Sequence, residues 1–347
     1  MRIDADSHVD ETEATWEYMD EAEIRFKPTT LEPGATSLFP NSRDQAWLID
    51  GQTLRRPWRD YKRTGTSPAC NQLLDIDARL RHMDELRIDV QVIYPTTFIR
   101  TAFVGHAEME RALSKSYNRW IATRTAASQG RLRWVAVVPM LTMDSAVDEL
   151  RWARDHGACG VFKKGLECDG KTVVDPYFFP LYEEASRLDV PICIHTGSDG
   201  RQRGIPTPLD AVVAFPPLIA SGILDQFPSL RVGFIEASAS WVPFLLSIQA
   251  ASGRHTHLQT SGPFELKRDF RLPSQIYVAC QSQDDLPYIL QFGTEDNLLV
   301  GTDYAHADQT AELVALDVIE QRAASGEFSA EVARKILDDN PRRFYGI

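Results

Sequence analysis

The chain has 347 residues, 43% of them hydrophobic and 25% charged, which fits a globular protein of one large domain or two ordinary ones. Lys and Arg total 37 against 49 Asp and Glu, so the formal net charge is −12 and neither nucleic acid nor an anionic membrane surface is an expected partner. No apolar run approaches the ~20 residues of a membrane span, no basic-then-apolar leader is visible, and Cys70, Cys159, Cys168, Cys193 and Cys280 form no C-x-x-C pair, so a reducing, cytoplasmic setting is expected.

The first strand is expected at Ile3–His8. Ile3, Ala5 and Ser7 alternate with Asp4, Asp6 and His8, and strand alternation would put the three ionisable groups on one face. Burying them together is costly unless a divalent cation joins them. Further short apolar runs rich in β-branched residues follow at 89–94, 133–138, 159–163, 191–195, 231–236, 275–280 and 297–303. Their nearly continuous apolar character is that of parallel strands buried on both faces. Helical spacing predicts helices over 76–86, 107–127, 142–156, 177–188, 210–227, 241–251, 286–292 and 310–326. Eight strands alternating with helices read as a (β/α)8 barrel, a single domain over 1–347. A doubly wound open sheet is the competitor, but no G-x-G-x-x-G follows any strand. Residues 12–74, with Pro28, Pro33, Pro40, Trp47, Pro57, Trp58 and Tyr61, exceed what a barrel needs. They are expected to form an insertion at the C-terminal face: either a lid or pocket wall, or a surface excursion or dimer contact.

Chemistry in such a barrel is expected at the C-terminal ends of the strands. Strand one ends in Asp6 and His8, strand five in His195, strand six in Glu236 and strand eight in Asp303. Two imidazoles and two or three carboxylates at one mouth suffice for a single divalent ion with an open position. Arg201 and Arg203 follow strand five, and Arg201 is the candidate clamp for a substrate carboxylate. Lys163 and Lys164 close strand four, one facing the site and the other the helices or water. Lys163 and Tyr94 join Arg201 as candidate substrate-binding residues. His306 and Asp308 follow Asp303 as supporting groups, with His306 also a candidate for proton transfer. His255-Thr256-His257 sits in a polar stretch and is not expected to bind metal.

Four motifs carry a family resemblance: Asp4-Ala5-Asp6-Ser7-His8, His195-Thr196-Gly197, Gly301-Thr302-Asp303-Tyr304-Ala305-His306 and the closing Ile336-Leu337-Asp338-Asp339-Asn340-Pro341-Arg342-Arg343-Phe344-Tyr345-Gly346. In this order they resemble the amidohydrolase-related family, whose aminocarboxymuconate-semialdehyde and hydroxybenzoate decarboxylases form its best-known branch. The resemblance implies Asp6, His8, His195 and Asp303 as ligands of one Zn or Mn ion. Two positions depart from the pattern. Asp6 replaces the first His of H-x-H, which moves metal preference from Zn toward Mn or Fe. Glu236-Ala237-Ser238 replaces the H-x-G whose His handles a proton, leaving Glu236 as ligand or as acid/base. The resemblance therefore implies non-oxidative decarboxylation of a small aromatic or unsaturated acid. Hydrolysis of an amide, ester or C–C bond by metal-activated water, with Asp303 as base, is the alternative. A barrel without catalysis, used for binding, is a third reading, and a homodimer is expected.

Overall fold

The computed structural model describes residues 1–34, 43–56, 58–99, 106–165, 170–197, 208–248, 271–307 and 310–347. Among them, eight parallel strands form one sheet in chain order: β1 (Ile3–Val9), β5 (Val90–Pro95), β6 (Leu132–Val137), β7 (Ala158–Lys164), β8 (Ile192–His195), β9 (Val232–Ile235), β10 (Ile276–Cys280) and β11 (Leu298–Val300). Parallel neighbours joined through helices follow the usual crossover rule. The sheet's ends meet. Asp303 N–H donates to the Asp6 carbonyl and His8 N–H to the Tyr304 carbonyl, both at 2.9 Å, closing the (β/α)8 barrel. The closure is tight at Gly301, where a Cβ would lie 2.3 Å from Cβ of Asp6.

The predicted helices appear with local differences, except that the end of the one predicted over 241–251 lies outside the described residues. Ile76–Glu85 starts where Asp75 accepts the Ala78 N–H at 2.9 Å, a side-chain N-cap. The helix predicted over 210–227 is three short pieces, Leu209–Val212, Phe215–Ala220 and Ile223–Gln226. Pro216 and Pro217 cannot continue a preceding helix, and Gly222 takes a left-handed φ of 76°. The last predicted helix starts at Ala315 rather than 310, because Glu312 N–H is held by the Thr302 carbonyl at 2.9 Å. No described helix is long and apolar enough to cross a membrane.

Asp4 does not share a face with Asp6 and His8, contrary to the alternation expected for β1. Register against β5 pairs Asp4 with Gln91 but Ser7 with Ile93, a slip of one residue that inverts the facing of the strand. Asp4 thereby turns to the helix layer. It accepts from Gln91 Nε2 (2.8 Å), Thr302 N–H (2.8 Å) and the Thr302 hydroxyl (2.6 Å). Arg79, fully buried on Ile76–Glu85, donates to Gln91 Oε1 at 2.7 Å and lies 3.5 Å over the Tyr304 ring. Burial pushes the Asp4 carboxyl up to about 6, against the pull of its Thr302 and Gln91 bonds.

The described residues within 12–74 form a small layer of their own. It holds 3-10 turns Glu13–Trp16 and Glu21–Phe26, an antiparallel sheet of β2 (Thr29–Leu31), β3 (Gln45–Ile49) and β4 (Gln52–Arg56), and short helices Tyr61–Thr64 and Pro68–Asn71. The layer is tied to the residues just past β1. Arg59 contacts Asp10 through three bonds of 2.8–3.2 Å, and Arg56 donates to the Glu11 carbonyl at 2.9 Å.

Arg79→Met keeps most of the volume but leaves Gln91 Oε1 without its buried donor. It should lower unfolding free energy by at least about 2 kcal/mol, read from the urea midpoint.

Candidate metal centre

Strand register explains which side chains reach the barrel mouth. His8 pairs with Tyr94 and His195 with Ile235, and both imidazoles point to the interior. Their tautomers are set by carbonyls, which only accept. His8 Nδ1 donates to Pro95 O at 3.2 Å and His195 Nδ1 to Thr196 O at 2.8 Å. Each Nε2 is left to present a lone pair, and the two Nε2 atoms lie 3.2 Å apart. Asp6 Oδ1 is 3.3 Å from His8 Nε2 and 3.6 Å from His195 Nε2. Asp303 Oδ1 is 3.4 Å from His8 Nε2, and Glu236 Oε2 is 3.5 Å from His195 Nε2.

These electron-rich atoms converge where water does not reach, since Asp6, His8, His195 and Asp303 are all buried. Among the described residues Asp6 Oδ1 has no hydrogen-bond partner. Such an arrangement repels itself unless positive charge sits at its centre. The donor set of imidazole nitrogen and carboxylate oxygen fits Zn, Mn or Fe, with each imidazole oriented by a carbonyl behind it. The pocket's preference for positive charge shows in its titration too. Burial opposes a charged His195, but Asp6 and Glu236 outweigh it and raise its pKa to about 9. Burial lowers the His8 pKa, partly countered by Asp6. Burial alone would raise Asp6, but His195 and His8 hold it well below the ordinary carboxylate range.

Two of the carboxylates arrive by strained backbone. Ile235 shares the interior face with His195, so regular alternation would send Glu236 toward the helices. Its φ of 55° turns it back into the site, and Asp303 has a φ of 50°. Left-handed non-glycine residues are costly and gather at functional sites. The Thr310 hydroxyl lies between these two carboxyls, 2.7 Å from Glu236 Oε1 and 2.8 Å from Asp303 Oδ2.

His306 stacks on His8 with ring centroids 3.9 Å apart. Its Nδ1 is 2.6 Å from Asp303 Oδ1, and its Nε2 hydrogen-bonds the Thr96 hydroxyl at 3.0 Å. Behind Thr96 stands Glu11, whose carboxylate accepts the N–H groups of Thr96 (2.9 Å) and Thr97 (3.0 Å) and the Thr97 hydroxyl (2.8 Å). Burial raises the Glu11 pKa to about 7, against those bonds. Glu11, Thr96 and Thr310 were not among the expected site residues. Glu11, three residues past His8, lay beside a flagged motif; nothing in local spacing marks the two threonines.

The expected site residues thus divide. Asp6, His8, His195, Glu236, Asp303 and His306 come together. Tyr94 lies beneath the imidazoles, 6.0 Å from the His8 ring and 5.3 Å from that of His195. Its hydroxyl bonds that of Tyr345 at 2.6 Å, which in turn donates to the Ala5 carbonyl, so Tyr94 is floor of the site. Lys163 is on the other face of β7, its ammonium 3.7 Å over the Phe178 ring. Arg201, Arg203, His255, His257 and Asp308 fall outside the described residues.

The chain is similar to known proteins in four comparisons. The amidohydrolase family model matches residues 70–347. A 2-amino-3-carboxymuconate-6-semialdehyde decarboxylase of Dictyostelium discoideum is 24% identical over 288 residues, covering 79% of this chain and 77% of that protein. Among solved structures, an amidohydrolase of Mycobacterium avium subsp. paratuberculosis superposes with a TM-score of 0.75 at 20% identity, over 99% of both chains. A 5-carboxyvanillate decarboxylase of Novosphingobium aromaticivorans, complexed with manganese and 4-hydroxy-3-methoxy-5-nitrobenzoic acid, gives a TM-score of 0.65 at 17% identity, over 100% of this chain and 96% of that one.

Elemental analysis of protein purified without chelator should find about one divalent ion per chain. His195→Ala should lose most of it; full occupancy in that variant would overturn the ligand set.

Proposed function

The chain belongs to the amidohydrolase family, and on that premise we propose that it is a metal-dependent carboxy-lyase removing CO2 non-oxidatively from a small aromatic or unsaturated carboxylic acid. The manganese-bound and decarboxylase relatives support this reading. Asp6, His8, His195 and Asp303 would hold the ion, and their oxygen-rich character favours Mn over Zn. When bound, the ion would supply Lewis-acid polarisation of substrate oxygens.

The observation that carries the reaction type is the Thr310 hydroxyl between Glu236 and Asp303. A hydroxyl has one proton and can donate it fully to one carboxylate. Shared between the two carboxyls, it holds both side chains at the site. Asp303 belongs with the cation ligands and stays ionised, which leaves Glu236, the carboxyl without a ligand role, to handle the reaction's proton. Decarboxylation needs such an acid: the C–C bond breaks, CO2 leaves, and the electron pair left on carbon takes a proton. Glu236 delivers it and is reprotonated from water. His306, with Nδ1 toward Asp303 and Nε2 accepting from Thr96, holds the Asp303 carboxylate in place. The Tyr94 floor limits depth, so a planar acid enters from the C-terminal mouth beside the layer formed by 12–74, which we read as its lid. Buried free cysteines at 70, 159, 193 and 280 suit a reducing cytoplasm, and a homodimer is the expected assembly.

Hydrolysis is the second reading. The Asp303–His306 contact of 2.6 Å favours it, since it would hold the Asp303 carboxylate in position to face a water molecule. Manganese-loaded protein should release CO2 from members of a panel of hydroxybenzoates and unsaturated acids. Glu236→Gln should keep its metal yet lose about 10²–10⁴ in kcat. Ester or amide cleavage without CO2 release would select hydrolysis, and metal loss in Glu236→Gln would make Glu236 a ligand.

A further inference from the structure

We propose that this chain carries a second ligand site, remote from the metal centre, that binds a small organic carboxylate with an apolar body. The site is a cavity of about 450 Å³ at the N-terminal end of the barrel. The helix Ala107–Thr125 and the turn after it lead into β6, and the helix Met143–Asp155 leads through Gly157 into β7. Residues of both connections line the cavity, as do Leu132 and Trp134 at the start of β6. Connections from helix to strand lie at the end of a barrel opposite the strand ends that carry the metal-binding groups. The cavity is therefore separate from the site described above.

Its wall offers donors that the protein leaves without acceptors. Trp134 pairs in register with Ile93, the neighbour of interior-facing Tyr94, so its indole turns outward to the two helices. It is 1% exposed, and its Nε1–H has no hydrogen-bond partner. Gly157 stands before it. A Cβ there would lie 3.7 Å from Nε1, and a φ of 99° keeps the position for glycine. Space facing the N–H is thus left without a side chain. Arg133 lines the same cavity, its Nε buried with no hydrogen-bond partner and its guanidinium in no ion pair among the described residues. The other polar groups are committed elsewhere. Arg119 is paired with Glu149 and lies 3.6 Å over the Trp152 ring, and the hydroxyls of Thr123 and Thr125 donate to carbonyls of their own helix. None of the described residues that line the cavity is acidic. A buried donor without an acceptor costs about 1–3 kcal/mol. A carboxylate has two acceptor oxygens, one for each donor, and a charge opposite to that of Arg133. The volume is that of a small-molecule pocket rather than of a lone ion, and Ala122, Leu132 and the ring of Tyr18 give it apolar surface. His156, stacked on Trp152 at 3.9 Å, is exposed, so a solute reaches the cavity from water.

Zinc-loaded protein carrying ¹⁵N in its seven tryptophans tests this, with benzoate as the probe. The indole N–H signal that is missing from Trp134→Phe should move downfield as benzoate is added, and saturate, because that N–H gains an acceptor. Arg133→Met should weaken the binding about tenfold to a hundredfold while keeping its zinc and a folded spectrum. Arg133→Lys, which retains the charge, should recover part of the affinity, as a general folding defect would not. A Trp134 signal that stays in place at tens of millimolar benzoate overturns the proposal, and so does equal affinity in Arg133→Met. Inorganic phosphate giving the same shift with equal affinity overturns the organic ligand. Benzoate bound at the metal centre alone leaves the Trp134 signal unmoved, which overturns this site and leaves the decarboxylase reading standing.

Discussion

Two imidazole lone pairs 3.2 Å apart, ringed by carboxylate oxygens, are the constraint around which this barrel is organised. Nothing in a folded chain holds such a group together by itself. The two imidazoles and two of the carboxyls are fixed from behind by neutral partners: Pro95 O for His8, Thr196 O for His195, Thr310 for Glu236 and Asp303. These partners lie at or past the C-terminal ends of strands, where backbone carbonyls and loop hydroxyls are no longer spent on the sheet.

Part of the chain's left-handed backbone lies at the site. Glu236 and Asp303 take left-handed backbone without being glycine, as do Ser238 and Ala305 beside them. Conformations of this kind persist only where surrounding structure over-determines them. Ser238 and Ser240 both donate to Asp284, which also accepts the N–H groups of Ala239 and Gln281. A single carboxylate so ties the segment after β9 to the one after β10. The turn that aims Glu236 at His195 is held by an acid that never enters the chemistry.

A comparable tie couples the layer formed by 12–74 to the site. Glu11 holds Thr96 and Thr97 with its side chain and Arg56 with its carbonyl, while Asp10 holds Arg59. Thr96 in turn meets His306. Movement of that layer would be felt at His306 through three contacts and no change in the barrel. Loops that carry substrate contacts on a rigid scaffold are expected to be linked to it in this way.

Most of the fold was legible in the sequence, because alternating apolar runs and helical spacings are local patterns, and all eight strands fall where those patterns put them. The chemistry at strand ends was legible too: Asp6, His8, His195, Glu236, Asp303 and His306 each occupy a position that barrel topology sends to one mouth. What the sequence could not determine was facing. A one-residue slip in β1 separates Asp4 from Asp6, a positive φ turns Glu236 inward, and register with β8 makes Lys164 rather than Lys163 the interior residue. Thr310, Thr96 and Glu11 were likewise decided only by folding, since the contacts Thr310–Glu236, Thr96–His306 and Glu11–Thr96 span 74, 210 and 85 residues. Period-two alternation is a rule about one strand in isolation. Which face is inside depends on the neighbouring strand's hydrogen bonds, and those exist only once the barrel has closed.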